Sequence, residues 1–150
     1  MKTISLFDRP LEIRDTETKG RGVFALEPLP AHTCIEVSPV LLFEKDQYVN
    51  HGQYTVLNEY TYVWSSGRQG LALGLGSMFN HDRCPNVYRK KDELNRCISY
   101  FTLRDIHPCE ELCISYGEHL WFDDGGSTSE HNHYDLPEEE EGSFFQNLLL

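Results

Sequence analysis

No stretch of this chain sustains an apolar pattern at i, i+3, i+4 and i+7. Short apolar or alternating runs are instead interrupted every few residues by Pro, Gly, Asp or Asn, the punctuation of strands joined by turns. Candidate strands fall at 11–14, 22–26, 33–37, 40–43, 60–64, 86–89, 96–103 and 111–115. The expected fold is therefore mainly β, built from small sheets with short helices between them. The 150 residues suit one domain and leave little room for a second core. Hydrophobic residues at 39% and charged residues at 25% match a globular domain. No run is long enough to span a bilayer, and the first residues show no apolar segment with a cleavage site, so no membrane partner and an intracellular location are expected.

Two segments repeat one plan. Residues 25–37 and 102–114 each read as a strand, a Pro-containing turn with one apolar side chain (Leu29, Ile106), and a second strand. A single pair is not a solenoid; it predicts two similar corners, each pinned to the core by that side chain. Past Phe122 the composition changes: 123–129 reads as linker, Glu138, Glu139, Glu140 and Glu141 form an acidic run, and Phe144, Phe145, Leu148, Leu149 and Leu150 are apolar. The domain is thus placed at 1–122. Residues 123–150 form an acidic linker and an apolar tail that needs a surface to cover it, on the domain or on a second subunit.

The net charge of -11 is unevenly spread, with no Lys or Arg from Asp105 onward. Such a stretch repels phosphate and attracts a basic polypeptide, so no direct nucleic-acid contact is expected, although acidic tails also serve as solubilising devices. Five cysteines (Cys34, Cys84, Cys97, Cys109, Cys113) without a Cys-x-x-Cys suggest reduced thiols rather than a disulfide framework or a zinc ribbon.

Three segments carry possible chemistry. Lys19-Gly20-Arg21-Gly22-Val23-Phe24-Ala25 is a Gly-x-Gly loop entering a strand; its backbone can approach a ligand closely or simply turn, and it lacks the spacing and the helix of a dinucleotide fingerprint. Asn80-His81-Asp82-Arg83-Cys84-Pro85-Asn86 is a polar loop between apolar segments, either a ligand site or a structural clasp. One imidazole and one thiol do not fill a tetrahedral site, so no metal is expected. Glu110-Glu111-Leu112-Cys113-Ile114-Ser115-Tyr116-Gly117 is a strand ending in a tyrosine that can reach into a pocket or merely cap the core.

In this order, with the Arg104-Asp105-Ile106 turn, these segments resemble the SET-domain family over roughly Leu11 to Trp121, and Tyr60-Thr61-Tyr62-Val63-Trp64 with Leu71-Ala72-Leu73-Gly74 is similar to its compact, stand-alone members. The resemblance implies small β-sheets with a threaded, knot-like C-terminal segment, and a protein lysine methyltransferase that uses S-adenosylmethionine. It implies cofactor contacts from Lys19, Gly20, Arg21, Gly22, Asn80 and His81, with Tyr116 in the catalytic position orienting the nucleophile. Tyr54, Tyr62, Tyr88, Tyr100 and Trp121 are candidates for the lysine channel. No cysteine follows Cys113, so the zinc-bound cap that many relatives place over the channel is not expected here. Trp121, Phe122 or a second subunit would cover it, and a homodimer is expected. His32 and Cys109 stand where the family often has glycine; a side chain there costs about 1 kcal/mol if φ is positive. The expected substrate is a basic protein tail, with histone H3 favoured, and the location nuclear and also cytoplasmic. The alternatives are a non-catalytic binding module on the same fold and a methyltransferase of a non-histone protein.

Overall fold

The computed structural model describes residues 10–116. Among the described residues nine strands form two sheets. The first has the order β1 (Leu11–Asp15), β2 (Arg21–Ala25), β9 (Glu111–Ile114) and β6 (Asn80–His81). The second runs β4 (Thr61–Val63), β5 (Gln69–Ala72), β3 (Cys34–Phe43), β8 (Cys97–Thr102) and β7 (Val87–Asp92). Among the described residues helices are limited to α1 (Lys45–Asn50), α2 (Leu57–Tyr60) and isolated 3-10 turns. None of the described helices is long and apolar enough to cross a membrane. The mainly β expectation holds.

Strand alternation explains which residues make the core. Val23, Ala25, Leu112 and Ile114 are fully buried on the first sheet, and Val40, Ala72, Ile98 and Tyr100 face inward on the second. Phe79 lies between the sheets and stacks on Tyr100 with ring centroids 4.6 Å apart. Each such side chain contributes roughly 1.5–3 kcal/mol by leaving water.

The last strand does not extend an edge. It is inserted between β2 and β6, antiparallel to the first through Val23↔Leu112 and parallel to the second through Asn80↔Cys113 and His81↔Ile114. Two stretches far apart in the chain thereby become immediate neighbours. The two corners also meet: Leu29 and Ile106, both buried, exchange main-chain hydrogen bonds of 3.1 and 2.8 Å. The turns beside them carry His32 at φ 59° and Cys109 at φ 64°, left-handed positions that explain why glycine is frequent at each.

Two expected strands, 33–37 and 40–43, are one ten-residue strand. The Ser38-Pro39 pair does not break it, because β3 trades partners there, pairing with β8 up to Pro39 and with β5 from Val40. Strand β5 was not anticipated. Gly70 reads locally as a breaker, but a Cβ there would lie 2.6 Å from Val40 Cγ1 and 3.2 Å from Trp64 Cε3, so the position needs glycine for close packing.

Candidate functional site

The parallel β6–β9 pair places the Asn-His segment against the strand that leads to Tyr116, and β2 closes the other side. Asn80 Nδ2 donates to Arg21 O at 3.1 Å and to Glu111 Oε1 at 2.8 Å, tying all three strands together. Gly22 makes this clasp possible: a Cβ there would stand 2.6 Å from Glu111 Oε1 and 2.7 Å from Asn80 Nδ2. Lys19 Nζ donates to His81 O at 3.1 Å and lies 3.7 Å from Asp82 Oδ2. The Tyr116 N–H donates to His81 Nδ1 at 3.2 Å, and the two rings lie 5.4 Å apart. Lys19, Arg21, Gly22, Asn80, His81 and Tyr116 thus converge on one seam. Gly20 turns beside it at φ 70° and faces open space.

Next to the seam is a wall of phenols. The Tyr116 hydroxyl donates to Phe79 O at 2.8 Å and the Tyr62 hydroxyl to Gly76 O at 2.8 Å. The Tyr100 oxygen lies 3.1 Å from the same Gly76 carbonyl and 3.3 Å from the Tyr62 oxygen. Burial raises the pKa of all three, so the neutral hydroxyl is their resting form. Their carbonyl acceptors fix the hydroxyl hydrogens, while each oxygen keeps the capacity to accept. The buried Glu36 supports the wall from behind: its Oε1 accepts from Ser38 Oγ at 3.1 Å and from Leu75 N at 3.4 Å, which holds the loop carrying Gly76.

The channel candidates divide. Tyr62 and Tyr100 stand in the wall. Tyr54 does not: it is 78% exposed on the turn Gly52–Tyr54, because the segment after α1 turns outward. Tyr88 pairs with Phe101, while its strand neighbour Arg89 pairs with Tyr100, so alternation sends Tyr88 to the face away from the wall. Trp121 lies outside the described residues. Sequence reasoning missed two residues. Glu111 anchors the clasp, and the Arg89 guanidinium lies over the Tyr62 ring, 5.1 Å from its centroid. The signal for Arg89 was its parity with the buried Val87 on one strand. Among the described residues no group of His, Cys, Asp and Glu could hold a metal ion.

A half-buried phenol just past the end of a strand inserted beside an Asn-His segment and a Gly-x-Gly turn is the arrangement of a SET domain. The SET domain pattern matches residues 20–117, and the chain belongs to this family. Over 148 residues it is 67% identical to a protein of Schizosaccharomyces pombe named histone-lysine N-methyltransferase, H3 lysine-37 specific, covering 98% of this chain and 99% of that one. It also superposes on the crystal structure of a Plasmodium falciparum protein described as a candidate histone methyltransferase. That match has a TM-score of 0.62 and 26% identity, covering 77% of this chain and 99% of the other.

Proposed function

We infer that this chain is a histone-lysine N-methyltransferase that transfers a methyl group from S-adenosylmethionine to histone H3, with lysine-37 as the target. The observation that carries the reading is the 67% identity along nearly the whole chain with an enzyme named for that reaction. The geometry of the seam is compatible with it. S-adenosylmethionine, when bound, supplies a methyl group on a sulfonium that a neutral amine can displace in line.

The residues of the seam fit such a donor. The open side of Gly20 leaves the 19–22 backbone approachable, the Lys19 ammonium suits a carboxylate, and the Asn80 clasp provides a rigid floor. His81 fixes the backbone of Tyr116, so the phenol is oriented before substrate arrives. With its proton committed to Phe79 O, the Tyr116 oxygen can accept from the amine and aim its lone pair. Because the phenols stay protonated, the lysine is neutralised by desolvation and surrounding charge, not by a tyrosinate. The acidic stretch from Asp105 onward favours a Lys/Arg-rich tail. A nuclear location accords with a histone substrate. A homodimer, proposed from the apolar Phe144, Phe145 and Leu148 to Leu150, would complete the channel, and light scattering reads its mass.

The test uses the full chain, labelled S-adenosylmethionine, and either recombinant H3 or H3 with lysine-37 changed to arginine. Label should enter the first and not the second. Tyr116→Phe should fold normally and lose at least about 100-fold in turnover, the scale of a misaligned reacting pair. No label on H3, or undiminished turnover in Tyr116→Phe, overturns the reading or the role of Tyr116 respectively.

A further inference from the structure

We propose that Arg89 is the fixed cation that keeps the substrate amine neutral in the lysine channel. This rests on the methyltransferase reading above and adds a residue to it. A substrate lysine must shed its proton to attack, and an amine is most easily neutralised where burial and a like charge act together. Arg89 supplies the like charge. It is half-buried on β7, and its guanidinium is held 5.1 Å from the centre of the Tyr62 ring. Among the described residues its guanidinium makes no ion pair.

The surrounding groups can be named element by element. Tyr62 on β4 carries the cation on its face, and Tyr100 on β8 is its cross-strand partner. Tyr60 ends α2, while Tyr116 and His81 form the far side. On the same strand Lys91 turns to the Trp64 ring at 5.1 Å and pairs with Glu93 at 2.9 Å. The opposing charge is Glu36, which pairs across the sheet with Tyr100 on its other side. Two strand spacings, about 10 Å, separate its backbone from that of Arg89, and its carboxylate is engaged by Ser38 and Leu75. The positive potential of Arg89 reaches the phenol wall, where it acts against burial to lower the pKa of Tyr62, Tyr100 and Tyr116 alike. An ammonium beside those oxygens feels the same potential as repulsion. At roughly 7 Å, and with the effective dielectric of about 35 that suits a half-exposed cation, this shifts an amine by about one pH unit, or tenfold in the neutral fraction.

The experiment measures kcat against pH for the full chain, Arg89→Gln and Arg89→Lys on an H3 peptide spanning lysine-37, because kcat reports ionisation within the complex. A second arm compares the affinity of that peptide with one carrying norleucine, a neutral isostere, at the target position. Arg89→Gln should move the inflection up by about one pH unit, lose roughly tenfold below it and recover above it. It should also raise the lysine-to-norleucine affinity ratio about tenfold. Arg89→Lys should keep the parent inflection. A loss by one factor at every pH, superimposable profiles, or an Arg89→Lys profile like that of Arg89→Gln overturns the proposal. A parent enzyme that labels no H3 overturns the function instead, and the affinity arm still reads Arg89.

Discussion

Replacing Gly22 by alanine puts a methyl group into the clasp that joins three strands. The new Cβ would meet Glu111 Oε1 at 2.6 Å and Asn80 Nδ2 at 2.7 Å, so both side-chain ends must swing away and give up the bonds they make here. Two hydrogen bonds are at stake. The Asn80–Glu111 bond involves a carboxylate and contributes about 1.5–3 kcal/mol, and the Asn80–Arg21 bond about 1 kcal/mol. Partial relaxation leaves a loss of about 2 kcal/mol, which lowers the melting temperature of a domain this size by roughly 6–8 °C. Shifting Arg21 and Gly22 also moves the backbone offered to the donor, so S-adenosylmethionine affinity should fall at least about tenfold. Differential scanning fluorimetry and calorimetric titration measure the two effects. Adding Glu111→Ala removes the atom being struck, so the double variant should be less damaged than the sum of the two singles. A Gly22→Ala protein that melts within about 2 °C of the parent and binds the cofactor equally well would refute the clasp, and so would strict additivity.

The left-handed turns offer the opposite sign. His32→Gly and Cys109→Gly relieve φ values of 59° and 64° and should each stabilise by about 0.4–1 kcal/mol in chemical denaturation, since both side chains are exposed. Acid sensitivity should trace in part to Glu110, whose carboxyl is held down to about 2 by the hydrogen bond from Arg104, with help from the His107 backbone and Asn86. A carboxylate depressed in the folded state stabilises above its unfolded pKa, and that contribution disappears as pH falls toward 2. Glu110→Gln should therefore flatten the stability profile over that acid window in pH-resolved thermal melts, with little change in slope near neutrality.

What the sequence made legible follows from how local each determinant is. Strand positions, the paired corners and the converging segments were readable because alternation, turn residues and motif order are written in neighbouring letters. Strand β5 was hidden because Gly70 is required by Val40 and Trp64, which belong to other segments. Helix α1 buries none of its six residues, so no apolar period announces it. The channel aromatics were divided by strand parity: Tyr100 faces the wall and Tyr88 does not, and composition cannot distinguish them. Arg89 carries no motif at all, and its significance lies wholly in the ring it stands over.

The contact between Leu29 and Ile106 bears on how the protein assembles. Closing it joins remote points of the polypeptide through a reciprocal pair of amide bonds, and the same step seats the final strand between neighbours laid down earlier. Such closure demands a large loop entropy before any reward is collected. Amides of β9 and of these two corners should consequently gain exchange protection together and late during refolding, with methyl-donor binding competence arriving in that same kinetic phase.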